Sequence, residues 1–329
     1  MSKLILGLDG GATKSHLAIF DSNGKCVGTS LYGPLNHEVM SGSYAELETR
    51  LKEFIPRALY NAGATVDDVA YAVYGLAGDD TDAQHKKITD AAKQVGIKNY
   101  LVCNDAFLGV PAGCPGCVGI CVINGTGFKL AAIDAAGETL HTCGVGGYTN
   151  DYGGGPWYGM KAVGAVYSSL FMLGKQTLMK DFLFKAFGIS SKEEMLGAIN
   201  KRIEESSFND VEINSIAFKA AALGDEVALS ILDQSAEQYA GATAWLAMNM
   251  DFPKNKTLYI SLIGSVNVKQ PVRIMHDMIE KRIRDTLGER PVQYVRLDVA
   301  PVAGAVIWAA QKAGFDIKME SIKASLAEL

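Results

Sequence analysis

The most constraining feature of this sequence is a three-strand pattern that occurs twice: strand, glycine turn, strand, turn, strand. The first copy covers residues 4–31, with its glycine turn at Gly10-Gly11-Ala12-Thr13 and a hairpin signal at Ser22-Asn23-Gly24. The second copy covers residues 119–143, with its glycine turn at Gly125-Thr126-Gly127. Two well-separated copies of one unit indicate structural duplication into two related domains.

The rest of the pattern predicts a mixed α/β fold. The 329 residues allow about two domains of ~150 residues each. Further apolar strands are predicted at residues 69–76, 100–103, 257–263 and 292–297. The segment after residue 156 is mainly helical and ends in a helix that begins at Val302. We predict an N-terminal domain over residues 1–117 and a C-terminal domain over residues 118–329, with the last helix packing back on the N-terminal domain.

Charge and hydropathy exclude several classes of function. The net charge is −5 and no long basic block occurs, which argues against nucleic-acid binding because clustered Lys and Arg supply affinity for phosphate backbones. The first apolar stretch ends at Asp9, too early for a signal peptide. No window approaches the ~18 apolar residues of a membrane span. These observations predict a cytoplasmic protein without a membrane partner.

The six cysteines leave a metal site as an alternative. Cys114-Pro-Gly-Cys117 followed by Cys121 fits part of a zinc or iron–sulfur pattern, but no second C-x-x-C supplies the missing ligands. Cys121 lies in the apolar run of residues 118–123, where a free cysteine serves as a small hydrophobic residue. The interpretation as core residues is favoured, and the metal interpretation stays open.

The two glycine turns are the best candidates for a phosphate site. Neither G-x-x-x-x-G-K-[ST] nor a G-x-G-x-x-G that opens a helix is present. Glycines between strands let backbone N–H groups approach phosphate oxygens, and Asp9 at a strand end could hold hydrated Mg²⁺. One such turn is usually only a hairpin. A pair that begins two equivalent units favours nucleotide binding.

Four segments together resemble a known family. They are Asp9-Gly-Gly-Ala-Thr-Lys-Ser15, Asn104-Asp105, Asn124-Gly-Thr-Gly127 and Ile263-Gly-Ser-Val266. In this order they resemble the actin-like ATPase superfamily that includes hexokinase. Within it, they are most similar to the N-acetylglucosamine kinase group, which is related to the BadF/BcrA-type ATPases. The segments 34–37, 76–79 and 302–305 add to the resemblance, which covers nearly the whole chain.

The resemblance implies two actin-like, ribonuclease H-like domains with a central nucleotide cleft. It implies Mg²⁺ and ATP as cofactors, a small-molecule sugar as substrate and a homodimer. Asp105 would be the catalytic base, and Asp9 would bind Mg²⁺ through water. The implied phosphate-binding residues are Gly10, Gly11, Thr13, Lys14, Gly125, Thr126 and Gly127, and Gly264 and Ser265 would border adenosine. The implied sugar-binding residues are Asn36, Gly78, Asn104, Asp105, Thr126, Gly147, Tyr148 and Asp151.

The loop at residues 146–157 departs from the family pattern. Aligning the chain on Trp157 places Asp151 at the family's acidic position, whereas aligning it on Gly146-Gly147 places Gly154 there and loses the carboxylate. The first alignment is preferred because loops tolerate changes in length. Tyr148 would then replace a family tryptophan against the sugar, with ordinary packing as its alternative. For Asp105, the alternative to a base is a helix N-cap.

The favoured hypothesis is ATP-dependent phosphorylation of N-acetylglucosamine to its 6-phosphate, with Asp105 removing the proton of the attacking hydroxyl. A kinase for another hexose is an alternative. A second is an ATPase activator of the 2-hydroxyacyl-CoA dehydratase type, which shares the fold and carries an iron–sulfur cluster. A third is a non-catalytic actin-like protein, because fold does not fix function.

Overall fold

The computed structural model describes residues 3–205, 207, 210–269, 273–297 and 299–327. Its first sheet has the strand order β3-β2-β1-β4-β5. The strands are β1 (Leu4–Gly10), β2 (Ser15–Asp21), β3 (Cys26–Tyr32), β4 (Val69–Leu76) and β5 (Tyr100–Cys103). Neighbours β1, β2 and β3 are antiparallel, whereas β1, β4 and β5 run parallel.

The second sheet repeats this topology. Its order is β10-β9-β6-β7-β8. The strands are β6 (Gly119–Asn124), β7 (Phe128–Ile133), β8 (Thr139–Thr142), β9 (Leu258–Ile263) and β10 (Val292–Arg296). An antiparallel meander of β6, β7 and β8 is again extended by parallel strands, here β9 and β10. The predicted α/β class and the predicted duplication are confirmed.

Helices connect and cover the sheets. The first part of the chain contains α1 (Ser43–Asn61), α2 (Asp82–Lys93) and α3 (Gly109–Gly113). The long helical segment contains α4 (Gly155–Phe171), α5 (Met179–Phe187), α6 (Met195–Glu204), α7 (Val211–Asn214), α8 (Ile216–Ala222) and α9 (Glu226–Asn249). Then follow α10 (Ser265–Lys269), α11 (Ile274–Leu287), α12 (Val302–Ala313) and α13 (Met319–Ala327). The helix α13 was not predicted. Among the described residues, no helix has both the length and the apolar character to cross a bilayer.

The helix α12 packs directly on the first sheet. A side chain at Gly7 of β1 would stand 2.7 Å from the backbone nitrogen of Val306 and 3.0 Å from Cβ of Ala305. Val302, Ala305 and Val306 are fully buried. Because Gly7 has no Cβ, α12 can approach β1 this closely. The chain thus returns from the second sheet to cover the first. The predicted domain boundary after residue 117 falls between α3 and β6.

Three apolar clusters support this arrangement. One joins β1 and β4 to α1 and α2, and a second joins β6, β7 and β9 to α4, α8, α9 and α11. The third lies between the sheets and includes α12. Open α/β sheets bind ligands outside the carboxyl ends of their parallel strands. The polar residues that follow β1, β4, β5, β6 and β9 therefore lie where a ligand would bind.

Candidate active site

Two carboxylates lie at the carboxyl edge of the first sheet. Asp9 is the penultimate residue of β1, and Asp105 follows β5 by two residues. Burial and, to a smaller extent, the negative charge of Asp105 together raise the pKa of Asp9 to about 7, against the opposing effect of Lys14. The two groups therefore repel each other in a poorly hydrated place.

Asp105 keeps its carboxylate available because a neighbour caps the turn that it begins. The N-cap of the 3₁₀ turn Asp105–Leu108 is Asn104, whose Oδ1 accepts a 3.0 Å hydrogen bond from the backbone nitrogen of Ala106. The N-cap interpretation of Asp105 is thus wrong. Burial raises the pKa of Asp105, and the ammonium of Lys129 opposes this shift.

A cavity of about 560 Å³ opens beside Asp105. This volume falls in the range of about 300–1,000 Å³ that is typical of small-molecule sites. Among the residues that line it are Asp105, Thr126, Gly127, Lys129, Gly147, Asp151 and Trp157. Five predicted site residues from three parts of the chain therefore meet around one space.

Asp151 organises the loop that forms one wall of this cavity. Its Oδ2 accepts hydrogen bonds from the backbone nitrogens of Gly144 (2.9 Å) and Gly146 (2.6 Å), and its Oδ1 accepts one from Thr149 Oγ1 (2.7 Å). Tyr148 in the same loop is 96% exposed and does not line the cavity. Packing of Tyr148 on a sugar stays a prediction.

Two further predicted sugar-binding residues, Asn36 and Gly78, lie next to each other. A Cβ at Gly78, whose φ is +83°, would stand 2.7 Å from Asn36 Oδ1, so only glycine fits beside that buried amide. The following residue, Asp79, accepts a 3.3 Å hydrogen bond from Asn104 Nδ2 at its backbone carbonyl. The ends of β4 and β5 therefore connect Asn36 to Asp105.

The turns after β6 and β9 meet at the edge of the second sheet. A Cβ at Gly125 would lie 3.4 Å from Cα of Gly264 and 3.6 Å from the backbone nitrogen of Ser265. Gly264 has φ of +93°, and a side chain there would overlap the Asn124 carbonyl. These glycines bring the predicted phosphate-binding and adenosine-binding residues into contact.

A second cavity, of about 730 Å³, lies beside this junction. Gly125, Thr126 and Ser265 line it, together with residues that the sequence did not indicate: Phe182, Val211, Asn214, Phe218 and Lys219. Thr126 lines both cavities. The Gly125-Thr126-Gly127 turn therefore separates a space beside Asp105 from a space beside Ser265.

The start of α4 holds this turn in place. Asn124 is fully buried, and its Oδ1 accepts a 2.7 Å hydrogen bond from the backbone nitrogen of Gly154. The backbone nitrogen of Gly155 donates a 2.7 Å hydrogen bond to the carbonyl of Gly125. Asn124 Nδ2 also donates to Tyr158 Oη at 3.4 Å. Three hydrogen bonds with the start of α4 therefore fix the residues Asn124 and Gly125 that begin the turn.

The first glycine turn lies on the other side of Asp105. The backbone nitrogen of Gly11 donates to the carbonyl of Lys14 at 3.2 Å, and the carbonyl of Gly10 accepts from Ala77 at 2.8 Å. Thr13 and Lys14 are exposed. Asp105 is close enough to Asp9, beside the first turn, to raise its pKa. It also lines a cavity with Thr126 of the second turn, so Asp105 lies near both turns.

The residues near Asp9 fit a divalent cation. The negative charge of Asp105 raises the pKa of the buried Asp9 carboxyl, so a positive charge beside this pair would be favourable, and oxygen ligands suit Mg²⁺. Asp9 would hold the ion, as the resemblance implies. The chemistry that Mg²⁺ supplies is neutralisation of phosphate charge.

Lys129 and Asp80 were missed at the sequence level. Lys129 Nζ lies 2.6 Å from Asp80 Oδ1, and the side chain of Lys129 is only 18% exposed. A lone lysine in the otherwise apolar strand β7, directly after a glycine turn, was the available signal.

The three cysteines of the Cys114–Cys121 segment are core residues in the structure. Cys114, Cys117 and Cys121 are each at most 5% exposed. Burial raises the pKa of the Cys114 and Cys117 thiols to about 12 in both cases, which keeps them protonated. Within the described part of the chain, no three His, Cys, Asp or Glu residues are grouped as metal ligands.

Comparisons with known proteins agree with the two-sheet architecture. The chain is 25% identical over 310 residues to an N-acetylmuramic acid/N-acetylglucosamine kinase from Clostridium acetobutylicum, covering 93% of this chain and 97% of that protein. It is 22% identical to an N-acetyl-D-glucosamine kinase from Dictyostelium discoideum, covering 94% and 98% of the two chains.

Solved structures show the same fold. A Chromobacterium violaceum protein to which N-acetylglucosamine kinase activity has been attributed superposes with a TM-score of 0.64 at 19% identity, over 93% of this chain and 98% of the other. A ROK family glucokinase from Streptomyces griseus, in complex with glucose and AMPPNP, gives a TM-score of 0.53 at 19% identity, over 94% and 98%. Finally, the sequence profile of one family matches residues 6–309, nearly the whole chain, and this protein belongs to the BadF/BadG/BcrA/BcrD ATPase family.

Proposed function

We propose that this protein is an ATP-dependent kinase of an amino sugar, with N-acetylglucosamine as substrate and N-acetylglucosamine 6-phosphate as product. The observation that carries the proposal is the position of the Gly125-Thr126-Gly127 turn between two cavities. Phosphoryl transfer needs donor and acceptor in line on either side of a group that binds the transferred phosphate. Thr126 lines both spaces, and Asp105 lines only the one assigned to the sugar.

Asp105 is the proposed base. A sugar hydroxyl loses its proton as its oxygen attacks the γ-phosphorus, and a carboxylate within hydrogen-bond reach accepts that proton. Burial raises the pKa of Asp105, which makes its ionised carboxylate a stronger base. Asn104 caps the following turn and so leaves the Asp105 carboxylate to the cavity.

Backbone amides and cations would stabilise the phosphates. Glycine turns at Gly10-Gly11 and Gly125-Thr126-Gly127 can present N–H groups without a Cβ in the way. Lys14 lies close enough to Asp9 to lower its pKa, so it can reach a phosphate bound there. The adenosine would occupy the cavity of about 730 Å³ beside Ser265, between Phe182 and Phe218.

The named relatives support the sugar class. Both curated relatives are named for N-acetylglucosamine, and the Clostridium acetobutylicum protein also for N-acetylmuramic acid. Another hexose remains the alternative substrate. The dehydratase-activator hypothesis rested on Cys114, Cys117 and Cys143. It is weaker because Cys114 and Cys117 are buried among apolar side chains, and only Cys143 is half-buried. The homodimer stays a prediction.

A coupled ADP-release assay tests the proposal. The panel contains N-acetylglucosamine, N-acetylmuramic acid, glucosamine and glucose, with Mg²⁺ and ATP. We expect turnover with N-acetylglucosamine, and a fall of at least about 10²-fold in Asp105→Asn because general base catalysis contributes 10²–10⁴-fold. Asp90→Asn, at an exposed position of α2, is the matched control and retains activity. Sugar-independent ADP release with no turnover of any sugar would contradict the kinase proposal.

A further inference from the structure

Lys129 connects the two sheets across the candidate sugar cavity. It lies in β7 of the second sheet, and both of its oxygen partners follow strands of the first sheet. Its Nζ is 2.6 Å from Asp80 Oδ1 and 3.3 Å from Asn104 Oδ1. With 18% of its side chain exposed, this ammonium depends on those oxygens for the hydrogen bonds that water would otherwise supply.

The partners of Lys129 are themselves connected. Asn104 Nδ2 donates to Asp80 Oδ1 at 3.0 Å and to the Asp79 carbonyl at 3.3 Å. Asn104 Oδ1 accepts from the Ala106 nitrogen as well as from Lys129. Both the nitrogen and the oxygen of the Asn104 side-chain amide are therefore hydrogen-bonded. Asp105 is the next residue along the chain.

This network determines where Asp105 lies relative to the second sheet. The hydrogen bond from Lys129 Nζ to Asn104 Oδ1 connects the segment Asn104-Asp105 directly to β7. Asp105 and Lys129 line the same cavity, together with Thr126 and Gly127 from the adjoining turn. A displacement of about 1 Å between a base and a phosphate-binding turn can cost about 10²-fold in rate.

We propose that Lys129, through its ion pair with Asp80 and its hydrogen bond to Asn104, is a positioning residue that holds Asp105 against the Gly125-Thr126-Gly127 turn. The inference rests on the kinase function proposed above. Lys129 does not take part in proton transfer. It keeps the base and the phosphate turn, which belong to different sheets, at a fixed separation.

Steady-state kinetics of four variants test this role. We expect Lys129→Met and Asp80→Asn each to lower kcat about 10- to 100-fold, with KM for ATP changed less than about twofold because the nucleotide cavity has no contact with this ion pair. Lys129→Arg retains the cation and should restore part of kcat. The double variant Lys129→Met/Asp80→Asn should be no worse than the poorer single variant, because one interaction is removed.

The control is Lys98→Met. Lys98 pairs with Asp67 at 3.1 Å, but both side chains are more than 70% exposed, so this substitution should leave kcat unchanged. The melting temperature and the affinity for a fluorescent ATP analogue are measured for every variant. If Lys129→Met does not fold, the kinetics of Asp80→Asn test the inference instead. The Asp80 side chain is 41% exposed, so the protein accommodates its substitution readily.

Two results would overturn the inference. One is wild-type kcat in Lys129→Met or Asp80→Asn while the wild-type enzyme phosphorylates its sugar. The other is a loss of kcat that is matched by loss of ATP affinity and of melting temperature, which indicates a general structural role. Failure of the wild-type protein to phosphorylate any sugar is a different outcome and contradicts the proposed function instead.

Discussion

The carboxylates of Asp9 and Asp105 lie at the ends of two parallel strands, and the charge of Asp105 contributes to raising the pKa of Asp9 to about 7. Burial is the larger cause. Such a pair is costly in the free protein because neither group is fully hydrated. A cation or a bound substrate that donates a hydrogen bond would offset this repulsion and poor hydration. Two buried carboxylates side by side are therefore expected of a binding site.

The pH dependence of activity should follow the ionisation of the Asp105 carboxyl group. Burial raises its pKa above the usual value, and a base works only when ionised. As the pH falls through this raised pKa, kcat/KM for the sugar should fall about tenfold per pH unit, and it should be constant just above that range. A pH profile of kcat/KM tests this. A profile that stays flat down to pH 4 would exclude Asp105 as the base.

Substitution of Asp9 should stabilise the protein at alkaline pH. The pKa of Asp9 is about 7 in the folded protein and 3.8 as its reference value, so the folded state binds a proton that the unfolded state releases between these pH values. Ionisation therefore destabilises the fold progressively as pH rises from about 4 to about 7. Asp9→Asn removes this penalty, on the order of 2–4 kcal/mol at pH 8.

Urea unfolding without Mg²⁺ or ATP measures this effect. The difference in free energy of unfolding between Asp9→Asn and wild type should grow from pH 4 to pH 8, while kinase activity is lost at every pH. Asp67→Asn, at an exposed position, should show no pH-dependent difference. Equal differences for Asp9→Asn at the two pH values would mean that the Asp9 carboxylate is hydrated in the folded protein.

Much of this arrangement follows from local sequence signals. The strands β4 and β6 match their predicted bounds, because continuous apolar runs ending in turns indicate buried parallel strands. The glycine turns were visible because they interrupt these runs. The two meanders were indicated as well, whereas the order of the parallel strands beside them was not, because pairing between distant strands leaves no local pattern.

Other parts depend on contacts that no local pattern encodes. The ion pair of Lys129 with Asp80 joins residues from the two sheets. The distance between Lys129 Nζ and Asp80 Oδ1 therefore depends on how the two sheets pack together. The aromatic residues Phe182 and Phe218 have helical spacing that indicates only a buried face. Their position beside Ser265 results from how α5 and α8 pack on the second sheet.

Tyr148 provides a test of the sequence-based sugar site. It is 96% exposed in the structure, so Tyr148→Ala should change the free energy of unfolding by less than about 0.5 kcal/mol. If the loop brings the ring onto a bound sugar, KM for the sugar should rise about tenfold, as expected for about 1.4 kcal/mol of lost contact. Tyr60→Ala, on α1 and 81% exposed, is the matched control. An unchanged KM in Tyr148→Ala would remove Tyr148 from the sugar site.

Gly154 should be essential for the shape of the phosphate turn. Its φ is +82°, and a Cβ there would lie 2.5 Å from the carbonyl oxygen of Thr126. Gly154→Ala must therefore strain the backbone, by about 1–3 kcal/mol, and also displace Thr126. We expect kcat to fall about 10-fold or more and KM for ATP to rise, because Thr126 lines both cavities.

The matched control lies inside α4, the helix whose N-cap is Gly154. Gly164 is exposed in α4, and no atom lies within 4 Å of an added Cβ. Gly164→Ala should stabilise the protein by about 0.5–1 kcal/mol, because alanine loses less backbone entropy than glycine in a helix, and should leave kcat and both KM values unchanged. Opposite effects of one substitution at the N-cap and in the interior of α4 would separate the geometry of the turn from the stability of the helix. Wild-type kinetics in Gly154→Ala would show that the Thr126 carbonyl can move without consequence for phosphoryl transfer.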